Sequence, residues 1–231
     1  MALSMYFHES EEIITDEMLK KLQKYYDDKE NPTEISTLIN QISVGTVKYK
    51  IFRIAKKINK NFQVYKIEEG NIVPTEEETE VWDTNYAYIR IDSKFVYVSG
   101  SSYGWVSNFI SRKLFEDENK IRIMEIDTKK LEDDVRKSNK FTPIGASFVD
   151  EEQTKVTIKN PAGLDFETNK YMKDMAEIEK GHIDIIIQKD DLNLNILVYP
   201  QGKVTFQGYT KDKETALRIF LKIWNEIKEY S

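Results

Sequence analysis

Two runs of alternating residues, 86-YAYIRI-91 and 94-KFVYVSG-100, meet around Asp92 and Ser93. Strand, tight turn and strand written this plainly commit a chain to antiparallel pairing of neighbours. The same grammar recurs along the sequence. In 46-TVKYKIFRI-54, Val47, Tyr49 and Ile51 alternate with Lys48, Lys50 and Phe52, and INKN supplies turn chemistry before 62-FQVYKI-67. The region 141-FTPIGASFVDEEQTKVTIKN-160 reads as strand, acidic turn and strand. Near the C-terminus, 183-IDIIIQ-188, 192-LNLNILVYP-200 and 203-KVTFQGY-209 follow one another.

Helical spacing falls between these strands. Thr15 is placed to cap a helix carrying Met18, Leu19, Leu22 and Tyr25. Pro32 sits at a first helical turn, and Ile35, Leu38, Ile39 and Ile42 share one helical face, which predicts a second helix ended by Gly45. Further helices are predicted over 105-WVSNFISRKLF-115, after the strand 121-IRIMEI-126, from about Phe166 to Lys180, and over 214-ETALRIFLKIWNEIKEY-230. No regular βαβ alternation emerges. The expectation is an α+β fold with antiparallel sheets built from hairpins, helices packed on one face, and a C-terminal β-β-β-α unit. A seam near 150–161 divides the chain into an N-terminal α+β domain, 1–150, and a C-terminal sheet-plus-helix domain, 151–231.

A chain of 231 residues, 40% hydrophobic and 32% charged, can bury a substantial core. The opening MALSMYFHESEEII has neither a basic leader nor a long apolar run, and no later stretch reaches the roughly 20 apolar residues of a spanning helix. No membrane association is expected. Cysteine is absent, which excludes disulfides, thiolate metal sites and cysteine nucleophiles and fits a cytoplasmic location.

The net charge is −6, but its distribution matters more than its sum. Between Glu34 and Glu68 there is no acid, while Lys48, Lys50, Arg53, Lys56, Lys57, Lys60 and Lys66 all fall in that window. The following 68-EEGNIVPTEEETEVWD-83 is strongly acidic. Two readings stand side by side: solvated faces of opposite sign, or a basic strip for phosphates beside an acidic region that limits or orients binding.

The string 100-GSSYG-104 matches G-x-S-x-G between a strand and a helix, the context of a nucleophile elbow. Ser102 would be the nucleophile, His182 its base, and Asp127, Asp150 or Asp165 the orienting acid. The elbow belongs to parallel sheets with an HGGG-type oxyanion string, and neither is visible here. The same turn could present Ser101, Ser102 and Gly104 to a phosphate, or a serine could simply cap its own helix. No metal site is expected, because His8 and His182 are the only histidines and 182-HID-184 lacks companions. Asp133/Asp134 and Asp190/Asp191 read as solvated pairs. No nucleotide fingerprint is present and no cofactor is implied. Most of the tyrosines, among them Tyr49, Tyr65, Tyr86, Tyr88, Tyr97 and Tyr199, sit in strand-like runs where cross-strand packing or an outward stacking surface are both open.

In the C-terminal unit Leu194, Ile196 and Val198, then Val204 and Phe206, share an apolar face with the helix stripe Ala216, Phe220, Ile223 and Ile227. The opposite face carries Lys203, Thr205 and Gln207, a polar ladder with no evident intramolecular duty. The VYPQGKVTFQG string and its helix resemble the half repeat of TATA-binding-protein-like domains, in which a curved sheet covers nucleic acid. The order YAYIRIDSKFVYVSG, WVSNFISRKLF, LEDDVRKS, KFTPIGASFVDEEQTKVTIKN and IDIIIQ is similar to the layout of RexA and RdgC-type proteins of phage exclusion and recombination. That resemblance implies a non-enzymatic, largely sequence-independent binder of duplex DNA in a phage or bacterial conflict system. Its phosphate contacts would be Lys48, Lys50, Arg53, Lys56, Lys57, Lys60, Ser101 and Ser102, with Lys203 and Gln207 on a second sheet. The competing expectation is a protein-interaction module, an inhibitor or assembly subunit, acting through the tyrosine-rich face and 76-EEETE-80. A homodimer is compatible with either.

Overall fold

The structure, a computed structural model, describes residues 3–68, 70–100, 103–137, 141–149, 155–160, 163–164, 169, 181–189, 192–208 and 212–231. In chain order the described elements are β1 (Leu3–Ile14), α1 (Asp16–Gln23), β2 (Lys24–Tyr26), β3 (Glu34–Val44), β4 (Val47–Glu68) and β5 (Asn71–Arg90). There follow β6 (Ser93–Ser99), α2 (Tyr103–Phe115), β7 (Ile121–Ile123), α3 (Thr128–Lys137), β8 (Thr142–Val149) and β9 (Lys155–Lys159). The chain closes with β10 (His182–Lys189), β11 (Leu192–Val198), β12 (Lys203–Phe206), α4 (Lys213–Ile227) and a 3-10 turn, Lys228–Tyr230.

The strands form one 12-stranded sheet in the order β2-β3-β4-β5-β6-β1-β12-β11-β10-β8-β9, with β7 attached to β1. Every described pairing is antiparallel. The fold is therefore α+β around a large antiparallel sheet. The first strand is its keystone: β1 pairs with β6 along one edge and with β12 and then β7 along the other. Residues on either side of the expected 150–161 seam share this sheet, with β8 paired to β10 and β1 to β12 across it.

Helices pack on both faces, not on one. Strand alternation presents Phe52, Ile54, Ala87, Ile89, Val96 and Val98 to α1 and α2, where Leu19, Leu22, Val106, Phe109 and Ile110 close a buried cluster. The alternate residues Phe7, Tyr49, Ile51, Tyr88 and Tyr97 point the other way. There they join Ile183, Ile185, Ile196, Val198 and Val204 beneath Leu131, Phe220, Ile223 and Trp224 of α3 and α4. Phe7 stacks on Trp224 at 4.6 Å between ring centroids. The reason for the two-sided arrangement lies in 47-VKYKIFRI-54, where both parities bury: Tyr49 and Ile51 on one face, Lys50, Phe52 and Ile54 on the other. Thr15 caps α1 as expected, accepting from the Met18 amide, and the predicted stripe Ala216, Phe220, Ile223, Ile227 is buried on α4, which Asp212 caps.

Two local expectations are corrected. The predicted helix at 32–45 is strand β3, which gains a full-length partner in β4. A bulge between Leu38 and Asn40 shifts the side-chain parity, so Leu38 faces the α1–α2 cluster, Ile42 the other, and Ile39 solvent. That shift mimics a helical repeat. The predicted INKN turn is mid-strand. β4 and β5 stay in unbroken register from Tyr49↔Arg90 to Glu68↔Asn71, and the turn lies beyond Glu68, where Gly70 supplies a φ of +84°. The predicted helix at 166–180 lies outside the described residues, Asn169 excepted.

Candidate functional site

The acid-free window and the acidic segment are the two strands of one ribbon. β3 covers β4 only as far as Lys56, and β6 covers β5 only from Tyr86. From Lys57 to Trp82 the ribbon runs on as an arm, with no third strand paired to it among the described residues. Some 11 residues at about 3.3 Å each give it a reach of roughly 35 Å.

One face of the arm carries Ile58, Lys60, Phe62, Val64 and Lys66 opposite Val81, Thr79, Glu77, Thr75 and Val73. The other carries Lys57, Asn59, Asn61, Gln63, Tyr65 and Ile67 opposite Trp82, Glu80, Glu78, Glu76, Pro74 and Ile72. On this second face the tip is apolar and solvated: Tyr65 is 68% exposed, Ile67 78% and Ile72 72%. Among the large apolar side chains of the described residues these are the most exposed. Behind the tip comes an acidic row. Lys57 pairs with Glu80 at 3.0 Å and lies over Trp82, and Lys66 pairs with Glu77 at 2.8 Å. Glu76 and Glu78 have no cation within ion-pair reach among the described residues.

The predicted phosphate contacts are not brought together. Lys50 is buried and holds Asp16 at 2.6 Å, which ties α1 to the sheet and leaves it no exposed charge. Strand parity puts Lys48, Lys56 and Lys60 on one face of the ribbon, Arg53 and Lys57 on the other. Arg53 is exposed, Lys57 is engaged with Glu80 and Asn31, and Lys60 lies over Phe62. Ser101 and Ser102 lie outside the described residues. The tyrosine-rich face is core: Tyr49, Tyr88 and Tyr97 are buried, and burial raises all three hydroxyls above the usual phenol range.

The ladder of Lys203, Thr205 and Gln207 does have intramolecular work. Lys203 lies 4.9 Å over Tyr199 and 5.9 Å over Tyr6, Thr205 shares a 2.9 Å hydrogen bond with Ser4, and Gln207 accepts from Lys159. Deeper on the same face, Ser147 Oγ and His182 Nδ1 are 2.7 Å apart, His182 Nε2 is 3.4 Å from Asp184, and Lys159 reaches Asp184 at 3.4 Å. Gly145 leaves room for this: a Cβ there would stand 2.7 Å from the Ile158 carbonyl and 3.2 Å from the Asp184 carboxylate. Serine, histidine and aspartate in line have the composition of a nucleophile, base and orienting acid. Ser147, however, is fully buried, so the trio as built is a buried polar network rather than an open site, and Asp184 Oδ1 has no hydrogen-bond partner among the described residues. His182, expected as the base for Ser102, meets Ser147, and the one sequence signal for Ser147 is its place in a strand that pairs with the histidine's.

Among the described residues no group of three metal-ligating side chains converges and no helix is long and apolar enough to cross a membrane. No family model matches the chain, and no curated protein matches it in sequence.

Proposed function

We propose that this chain is a protein-interaction module and that the β4–β5 arm is its docking element. The observation that carries this reading is the solvated apolar tip on a ribbon to which no third strand pairs among the described residues. A two-stranded ribbon is marginal in water and a protruding apolar cluster is costly to keep wet, so such an arm gains from a protein surface laid against it. Charge points the same way. Residues 57–83 hold three lysines against seven acids, which repels a phosphate backbone and suits a partner with cations around an apolar floor. A duplex reading would draw on Lys48, Arg53 and Lys60, which the ribbon divides between its faces.

The test is photo-crosslinking in the native host with a benzophenone amino acid at position 65, beside an arm-shortened chain in which 58–81 are replaced by Asn-Gly. A discrete protein adduct that needs the tip supports the reading. Salt-sensitive binding of a random 30-base-pair duplex by both the full and the shortened chain, with no adduct, would replace it with nucleic-acid binding through the body of the sheet.

A further inference from the structure

The face that bears the apolar tip also bears, at its root, the features such a tip requires. Counting inward from Ile67↔Ile72, the same parity passes Glu76 and Glu78, then Lys57↔Trp82, Ala55↔Thr84 and Arg53↔Tyr86 where the arm joins the sheet. Lys213, at the start of α4, lies 3.7 Å over the Tyr86 ring. The root is thus an aromatic floor of Trp82 and Tyr86 edged by Arg53, Lys57 and Lys213. Arg53 is exposed and has no ion pair or hydrogen bond among the described residues. The tip and mid-arm are apolar and acidic, and the two ends of one face complement each other.

We propose that the occupant of this face is a second copy of the chain, held in a reciprocal clasp in which each arm's tip rests on the other's root. This inference rests on the arm being the docking element. A two-fold axis crossing the ribbons near Asn59 and Glu80 sets each β4 antiparallel to its mate. Tyr65 of one copy then lies over Arg53 of the other, where a guanidinium meets an aromatic face. In that register Glu76 comes beside the second copy's Arg53, Glu78 beside its Lys57 and Trp82, and Pro74 over its Tyr86, while Ile67 and Ile72 reach the first turn of α4 at Lys213. The unbroken register from Arg53 to Ile67 keeps one parity along the whole contact. The opposite face offers no comparable polarity of ends, since Lys60, Phe62, Glu77 and Lys66 alternate along it.

The contact is modest. Fourteen residues at about 3.3 Å by a ribbon about 10 Å wide give roughly 450 Å² per copy, about 900 Å² in all, at the lower edge of stable interfaces. The clasp is therefore a weak, concentration-dependent dimer.

Sedimentation velocity of the purified full chain from 1 to 200 µM tests it, alongside Arg53→Glu and the double variant Arg53→Glu with Glu76→Arg. The expected result is a reversible monomer–dimer equilibrium, weakened at least tenfold by Arg53→Glu and restored to within about threefold by the double variant. Unchanged circular dichroism and melting temperature of Arg53→Glu keep a folding defect from imitating the result. A benzophenone at position 65 should crosslink to residues 53–57 or 82–86 of a second copy. A monomer at every concentration, or a dimer indifferent to both variants, overturns the clasp. The arm reading is judged separately: if the host-cell adduct at position 65 contains a different protein, the arm still docks but on another occupant, and if no adduct forms at all, both fall.

Discussion

The β4–β5 arm and the β8–β10 face depart from ordinary burial in opposite senses. The arm holds Tyr65, Ile67 and Ile72 in solvent, while the face around β10 holds Ser147, His182 and Asp184 out of it. The difference is in what each group touches. The buried polar groups have partners at 2.7 to 3.4 Å, including the Lys159 ammonium, so their placement is largely met inside the chain, although Asp184 Oδ1 lacks a hydrogen bond among the described residues. The exposed apolar groups lie on a ribbon that no third strand covers among the described residues. A residue type out of its usual environment marks function where the compensation is missing, and structure where it is present.

The largest effect should come from breaking the compensated side. Asp184→Ala removes a buried carboxylate flanked by His182 and the half-exposed Lys159, and losing contacts of this kind to a charged group costs about 2 to 3 kcal/mol. Urea unfolding should show the midpoint falling with an unchanged slope. An unperturbed midpoint would mean the trio is not structural, and its catalytic reading would regain force.

A second buried histidine sharpens the contrast through pH. His8 on β1 is sealed between Val96 and Ile123, and burial pulls its pKa down to about 4 from an ordinary value of 6.5. The unfolded chain protonates this group first as pH falls, so stability is whole above pH 6.5 and is lost progressively between 6.5 and 4. From pH 7 to pH 5 the loss should be roughly 2 kcal/mol, the part of the full linkage realised in that interval. Comparing wild type with His8→Leu in urea at both pH values isolates this contribution from His182. An identical pH dependence in the two proteins would refute it.

These residues also show how much was legible beforehand. Period-two alternation and tight turns revealed the antiparallel sheet, the hairpins of 86–100 and the stripe of α4, because local side-chain spacing alone decides which face is apolar. The arm was hidden for the converse reason. INKN has the composition of a turn, but turns are chosen by the pairing energy of what flanks them, and twenty continuous pairs outweigh one polar tetrapeptide. Strand β3 was read as helix because a single bulge gave Ile35, Leu38 and Ile42 a helical repeat. The basic strip was a property of sequence order, and alternation split it between two faces. Ser147 and His182 are 35 residues apart and meet only because β8 and β10 pair.

A smaller effect is expected at Ser147→Ala. It deletes one hydroxyl and leaves a buried imidazole nitrogen with one hydrogen bond fewer, at about 1 to 2 kcal/mol. Thermal unfolding resolves this as a drop of a few degrees for a chain of this length. A loss as large as that of Asp184→Ala would shift the weight of the network from the carboxylate to the serine–histidine bond.

The smallest stability change, and the most informative one, belongs to the arm. Tyr65→Ser with Ile72→Ser removes two side chains that are more than two-thirds exposed and on a ribbon outside both buried clusters. Surface changes of that kind stay within about 0.5 kcal/mol, so unfolding curves should superimpose on wild type. If the tip is a docking surface, the same double variant abolishes association while leaving stability untouched, a separation that no substitution around β10 can produce. A clear fall in stability would instead place Tyr65 and Ile72 in contacts within the chain, and the arm would then belong with the β10 face as a piece of internal structure.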